Sequence, residues 1–542
     1  MASPAPSANQ SIQEVPLPIV GGTKFGRYSK ISSEATWNFI ISDNWLVPYA
    51  GYKNVLTIDP AEPGRGIYSS STGDFMITVI GRGVYKIVVD ISGNLVATGI
   101  GSLSTGSGDV YIAENNNGEI CITDNVYVYV YNYLVGSTPE LLSSNPSTLN
   151  NFSFPFDSPG YISFQNGRLI IACSSTTNWV LSGFNAATSW STSANSVGSF
   201  QIKPDTCQAC VPMPGGGNNL LVFGRNATEM WQDVQSQSLF PYQRMSTFNI
   251  DFGTINPASI AHLKNYVVWL SVNEASGPVL MVSYGGVPEA ISTDGIDFQM
   301  GNLTDPENCT GFLYQQDGHT LYQFTFPTDN VSYAYDLDTK MFFNVSDEDL
   351  NYHIAREIVY FNNTYYFVSL NGGNIYDFNT IYPFAQYSDT DIRVIPRIRI
   401  CPPLRMPDQR MYIAKSLSFT IENGQPNTFI TTTIPGPEDG ILIATESGKD
   451  ITTEDGTFIA TEADFATPTV YVQAINQVNL AVSRDGGETF GSFWTQDMNR
   501  TGNFKSRFIY QRLGQANDMT YQLRFNGLSR FVVMSGIVEI YK

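Results

Sequence analysis

At 542 residues the chain exceeds the roughly 250–300 residues beyond which a single core stops growing, so two or more domains are expected. Charged residues make up 14%, against about 25% in an average soluble domain, so the surface must be largely Ser, Thr, Asn and Gln. The net charge of −20 argues against binding along nucleic-acid phosphates, which needs Lys and Arg to displace counterions. The same charge suits a wall past which a polyanion must move without sticking.

Residues 1 to about 20 are polar and Pro-rich and are expected to form an arm. They show no basic n-region and no apolar stretch of signal-peptide length, so no export signal is expected there. No run approaches the ~18 apolar residues of a membrane span. Trp37–Val55 is aromatic and punctuated by Pro and Gly, which predicts an ordered, platform-like segment with short strands. From Arg65 the pattern is strand, turn, strand. Alternation such as Phe75, Ile77, Val79 marks a half-buried strand. Asp109–Ala113, Glu119–Thr123 and Val126–Tyr131 continue it, separated by Asn115 to Gly118 and by Asp124-Asn125. Further hairpins are expected around Asn166-Gly167, Leu220–Gly224, Tyr266–Ser271 and Val279–Ser283. Between 60 and 395 nothing sustains a 3.6-residue apolar period, so an all-β region is expected.

The stretch from Thr320 to Thr380 holds two copies of one unit. Each copy pairs two aromatic, alternating strands across a turn, and each ends in the same tag, at Tyr335–Thr339 and Tyr376–Thr380. Aromatic and β-branched residues suit a pleated surface. An Asp at a strand end, Asp336 or Asp377, can bond its own backbone and start a turn. A period of about 40–50 residues with several strands per period is the spacing of β-propeller blades.

Near 391–410 the texture changes. Arg393, Arg397, Arg399, Arg405 and Arg410 fall among prolines in an otherwise acidic protein. Alternating charges of this kind can pair with acidic neighbours, and a domain or subunit contact is expected, with a nucleic-acid patch as the other reading. The division that follows is 1–60 arm and platform-like segment, 61–395 β-propeller, and 396–542 C-terminal β domain. Within the last, Ile443, Ile451 and Ile459 open an Ile-x-Thr-Glu repeat of eight residues. Glu438, Asp439, Glu446, Asp450, Glu454, Asp455, Glu462 and Asp464 make this stretch, about 436–467, a protruding acidic tip whose charges stay solvated.

Little here carries chemistry. The six cysteines are scattered apart from Cys207 and Cys210, which lack the further ligands that zinc requires and read as buried thiols. His262, His319 and His353 are isolated, with no nucleophile elbow. No phosphate-binding or dinucleotide glycine pattern occurs. Ser483 to Phe490 resembles the Asp box, a hairpin turn held by Asp485 and Thr489, which is structural wherever it occurs. No catalytic residue, metal or cofactor is expected, and the chain is read as non-enzymatic.

The chain resembles the packaged-DNA stabilisation proteins, also called tail hub or nozzle proteins, of short-tailed bacteriophages. Asp43–Gly51 is similar to the family's N-terminal segment. Arg65–Tyr68 followed by Val79–Tyr85, and Leu221–Trp231 followed by Leu239–Tyr242, are similar to its internal strings. Val287–Thr293, Tyr333–Thr339, Cys401–Pro403 and the Asp485–Gly487 turn continue the order. The resemblance is weakest in the arm and at Pro437–Pro468.

The resemblance implies a β-propeller in a homo-oligomeric ring, six subunits in this family. It implies docking below the portal and adaptor proteins, contact with tail fibre, spike or needle proteins, and a virion tail location after assembly in a bacterial cytoplasm. Packaged DNA would be retained and then ejected through the lumen without sequence-specific binding. Six chains at −20 would carry about −120 between them, and a negative lining would keep phosphates off the wall. The rival readings are a carbohydrate-active propeller of sialidase or depolymerase type, which would need three arginines converging with a Tyr and carboxylates, and a glycan-binding adhesin.

Overall fold

The computed structural model of the chain describes residues 12–26, 34–135, 140–215, 217–236, 240–422, 429–433, 469–473, 476–498, 505–527 and 530–541. Seven antiparallel meanders follow one another from Gly64 to Asn379. Their first strands are Gly64–Ser69, Tyr111–Glu114, Pro159–Gln165, Ala209–Pro212, Ala261–Leu263, Thr310–Gln316 and Ala355–Phe361. These seven strands stand around one axis and line a common cavity, which makes the region a seven-bladed propeller. The apolar faces of successive sheets bury against each other. Trp179 of the third blade meets Trp231 of the fourth edge to face at 5.3 Å, and Phe223 of the fourth meets Trp269 of the fifth at 5.1 Å.

The ring closes by borrowing a strand. The seventh blade supplies only three strands from its own stretch, Ala355–Phe361, Thr364–Ser369 and Gly373–Asn379. Its outer strand is Gly51–Asp59, antiparallel to the third, with Asn379 opposite Gly51 and Tyr376 opposite Asn54. Gly51 is required at that seam: a Cβ there would stand 2.2 Å from the carbonyl oxygen of Tyr382 and 2.4 Å from that of Phe384. The propeller therefore begins before the boundary expected at residue 60, because the last blade needs a partner for an edge that would otherwise be open.

The rest of the chain forms two facing sheets. One contains Ile12–Leu17, Phe39–Ser42, Trp45–Pro48, Tyr412–Glu422, Lys505–Ala516 and Val532–Tyr541. The other contains Ala35–Trp37, Arg397–Ile400, Gln477–Ser483, Trp494–Asp497 and Asp518–Asn526. Leu417, Phe419, Phe508 and Val538 of the first bury against Val478, Leu480, Leu523 and Phe525 of the second. The second sheet is continuous with the sixth blade, since Ala35–Trp37 lies parallel to that blade's outer strand Met341–Val345 and antiparallel to Arg397–Ile400. Propeller and sandwich thus share one ten-stranded sheet.

Two further expectations are corrected. Ile12–Leu17 is not part of a free arm: it pairs in register from Ile12 opposite Tyr541 to Leu17 opposite Gly536, and Leu17 and Ile19 are buried in the sandwich core. Residues 1–11 lie outside the described residues. The region from 60 to 395 is not wholly strand, because Asp294–Gly301 is an α-helix that buries Ile296 and Met300 between the fifth and sixth blades. Eight residues are too few for a 3.6-residue period to emerge from sequence, although Asp294 and Asp297 in its first turn suit the helix dipole. No helix among the described residues is long and apolar enough to cross a membrane.

Candidate functional site: the propeller axis and its rim

The seven inner strands enclose a cavity of about 680 Å³. That is the size of a small-molecule site, typically about 300–1,000 Å³. It is far too small for a DNA duplex, whose major groove alone is about 12 Å wide.

Charged groups of the axis clasp the first blade to its neighbours. Arg65 is buried, and its guanidinium donates to the carbonyls of Gly81, Thr105, Ser107 and Gly108 at 2.8–2.9 Å and to Thr105 Oγ1 at 2.9 Å. It pins the connection between blades one and two, and burial pulls its pKa down. Arg356, on the seventh blade, donates through Nε to the carbonyl of Arg65 at 2.9 Å and pairs with Asp109 at 2.5 Å. Next to it, Glu357 Oε2 accepts the backbone N–H of Ile67 at 3.0 Å. Glu357 opens onto the cavity yet is ringed by protein, and this desolvation raises its pKa to about 7 despite the Ile67 N–H and Arg356. His262 faces the same cavity from the fifth blade and is shifted the opposite way, towards its neutral form, by the same cause.

The acid of the second blade is fully engaged. Glu114 accepts from Ser71 N and Oγ at 2.7 Å each, from Tyr133 Oη at 2.6 Å and from Tyr68 Oη at 3.4 Å. Tyr111 and Tyr161 stand with ring centroids 5.1 Å apart, and Phe164 and Phe312 also line the cavity. The hydroxyls of Ser163 and Thr310, in residues more than nine-tenths buried, have no hydrogen-bond partner. The cavity contains two arginines, both engaged as described, and not the three-arginine pocket that a sialidase-like reading requires.

One rim of the propeller is apolar. In an antiparallel meander the turn after the third strand lies on the same end as the turn after the first. In five successive blades that third turn exposes a large apolar side chain: Ile91, Leu134 with Val135, Phe184, Val234, and Tyr284 with Val287. On the opposite rim the hairpin turns, such as Ser174–Thr177 and Pro327–Asn330, are polar apart from Val126, while the connections between blades expose Leu149, Phe298 and Leu350 singly. Neighbouring blades are tied on the apolar rim by Asn117 Nδ2, which donates to the carbonyl of Asn185 at 2.7 Å.

The arginine cluster is distributed among contacts within the chain. Arg399 is wholly buried, pairs with Glu34 at 2.6 Å, and donates to the carbonyls of Pro18, Ile19 and Gly22 and to Thr36 Oγ1. It fixes the N-terminal segment to the sandwich. Arg393 pairs with Asp391 and Glu348 and lies over the Tyr387 ring. Arg405 pairs with Asp518, and Arg410 with Asp408. Arg397 departs from the expected acidic pairing. It is buried without a carboxylate, donates only to the carbonyls of Pro383 and Ile395, and has its pKa lowered to about 9 by desolvation.

The acidic tip residues Glu438, Asp439, Glu446, Asp450, Glu454, Asp455, Glu462 and Asp464 lie outside the described residues. Phe429–Thr433 and Thr469–Gln473 pair as a two-stranded ribbon on either side of that stretch. Cys207 and Cys210 are buried, with sulfurs 3.9 Å apart, well beyond the roughly 2.05 Å of a disulfide. The Asp485 turn is held as a hairpin: Asp485 accepts from Ser483 Oγ, from Thr489 Oγ1 and from the backbone N–H groups of Thr489 and Glu488, which keeps its carboxyl well below the usual range. His319, Asp336 and Asp338 come close enough to hold a metal. Their bonds to one another, to Thr339 and to the Thr320 N–H already account for the arrangement as a turn. The axial residues Asp109, Arg356 and Glu357 were not singled out from sequence, because they meet only when the first and last blades do.

A family model described as "Bacteriophage P22 Gp10, beta-propeller" matches residues 34–381. No curated protein matches the sequence. Among solved structures, a streptogramin B lyase is similar at 12% identity and a TM-score of 0.39, over 61% of this chain and 97% of its own. The virginiamycin B lyase from Staphylococcus aureus is similar at 11% identity and a TM-score of 0.36, over 68% and 99%. The computationally designed Ika8 protein is similar at 10% and 0.34, over 66% and 99%. These scores are too low to carry any argument about this chain. The family match begins at Glu34, just before the strand that joins sandwich to propeller, and ends at Ile381, two residues after the last blade strand. Covering well over half of the chain, it shows that this protein belongs to the phage stabilisation family of P22 Gp10-type β-propellers.

Proposed function

We propose that the protein is a non-enzymatic structural subunit of a short phage tail. It assembles as a ring below the portal and adaptor, retains packaged DNA, and forms the ejection channel in the lumen between copies. Membership of the phage stabilisation family over residues 34–381 carries this reading. Three physical features support it. The axial cavity of a single propeller is too small for a duplex, so any DNA path must run between copies. The net charge of −20 favours sliding over sticking. Closure of the seventh blade by Gly51–Asp59, and the sheet shared with the sandwich, make one subunit a stiff wall segment.

Head-to-tail contacts that close give a ring. The apolar rim bearing Phe184 and its counterparts is the contact face of this assembly, because exposed apolar clusters mark interaction surfaces. Virion location and contact with fibre, spike or needle proteins follow from the same reading. Negative-stain images and native mass of the purified chain, alone and with its portal–adaptor complex, test it: rings are expected, and a persistent monomer with both preparations overturns the proposal. Reversing Glu446, Glu454 and Glu462 to Lys should slow DNA ejection at low salt, and unchanged ejection would remove them from the channel.

A further inference from the structure

We propose that the axial cavity of the propeller is a binding site for a small organic cation, a primary or quaternary ammonium of a few carbons. It is independent of the ring and of any role in DNA passage. The cavity has the volume for such a ligand, about 680 Å³, and is enclosed by seven strands.

The balance of charge and hydrogen bonding selects the class. The Arg356 guanidinium is matched by Asp109, and that of Arg65 is spent on four carbonyls and on Thr105, which itself donates to Asp124 at 2.8 Å. Glu114 has donors on both oxygens. Glu357 is different: among the described residues only Oε2 has a hydrogen-bond partner, the Ile67 N–H, and no cation lies within ion-pair distance of it, Arg356 acting on it only from further off. It is the carboxylate left over in the cavity. The cavity walls are aromatic, with Tyr111 and Tyr161 side by side on the second and third blades and Phe312 on the sixth, next to the blade of Glu357. Aromatic faces with a carboxylate are the recognition chemistry of ammonium groups. An anion would meet Glu357 unfavourably, and a neutral ligand would leave its carboxylate without a counter-charge.

The test uses the full chain with tetramethylammonium chloride and 1,4-diaminobutane as probes, and with acetate and glycerol as controls, by isothermal titration and saturation-transfer NMR. Saturable one-to-one binding of at least one cation is expected, weakened about tenfold or more in Glu357→Gln, where the charge is lost and the shape kept. Heats measured in two buffers at pH 7 should differ for the wild-type chain, because binding displaces a proton from Glu357. Tyr161→Leu, with its fold checked by circular dichroism, provides a second variant if Glu357→Gln fails to fold, and it too should weaken binding. Absence of saturable cation binding, equal binding by Glu357→Gln, or equal binding of acetate or glycerol overturns the proposal.

Discussion

Glu357, on the innermost strand of the seventh blade, accepts the backbone N–H of Ile67, on the innermost strand of the first, at 3.0 Å. The two residues are 290 positions apart, and their bond closes the ring on the axis while Gly51–Asp59 closes it on the outside. A closed ring has no open blade edge, which is the physical advantage of the architecture.

The pH response of this clasp has a definite sign. Glu357 holds its proton more tightly in the folded chain, with a pKa of about 7, than in the unfolded one. Its protonation therefore contributes stability that is full below the unfolded carboxyl range and is lost as pH rises to about 7. His353 acts oppositely: buried among aromatic rings, it is lowered to about 3, so it adds stability as pH rises towards 6.5. Subtracting the unfolding midpoints of Glu357→Gln from those of the wild type between pH 5 and 8 isolates the Glu357 part. The difference should fall from pH 5 to about 7 and level off above it, and a flat difference throughout would refute the shift.

Arg399 should be among the costliest single side chains to remove. Its truncation to Ala leaves the buried Glu34 with only the exposed Lys24, at 2.9 Å, as an ionic partner and frees three carbonyls. Breaking one half of a buried ion pair costs about 3–5 kcal/mol. Urea unfolding of Arg399→Ala should show a loss of this order, and the double variant with Glu34→Gln should lose less than the sum of the two single changes.

The seam strand can be tested at Gly51. Because a Cβ would collide with the Tyr382 and Phe384 carbonyls, both fixed backbone, Gly51→Val should cost at least the ~1–3 kcal/mol of ordinary overpacking. Limited proteolysis should then cut between the strand and the seventh blade sooner than in the wild-type chain.

Apolar rim residues should behave differently. Ile91→Ser, Phe184→Ser and Val287→Ser each remove an exposed side chain, so each should leave stability within about 0.5 kcal/mol. Together they should reduce assembly, read as native mass and as incorporation into particles. Unimpaired incorporation would move the contact face elsewhere.

Much of the fold was legible along the chain because a hairpin is a local object. Alternation and turn residues mark Thr364–Ser369 and Gly373–Asn379 as a pair, and they pair. The limits of local reading show in the two matching tags. Asp336 turns the chain within the sixth blade, accepting from the N–H of Asp338 and from Thr339 Oγ1. Asp377 carries the same tag but caps no such hairpin; it accepts from Tyr382 Oη, and burial raises its pKa. The sixth blade's fourth strand follows in sequence, whereas the seventh blade's comes from the N-terminal side, so one tag meets two environments.

Sequence by itself determined strand content, the blade period, the acidic balance and the family strings, all of which are written in neighbouring residues or in bulk composition. Tertiary structure decided which blade closes on which, that Ile12–Leu17 belongs to the sandwich, and that Asp109, Arg356 and Glu357 share one axis. Those outcomes depend on contacts between residues hundreds of positions apart, where chain topology sets proximity and no local period records it.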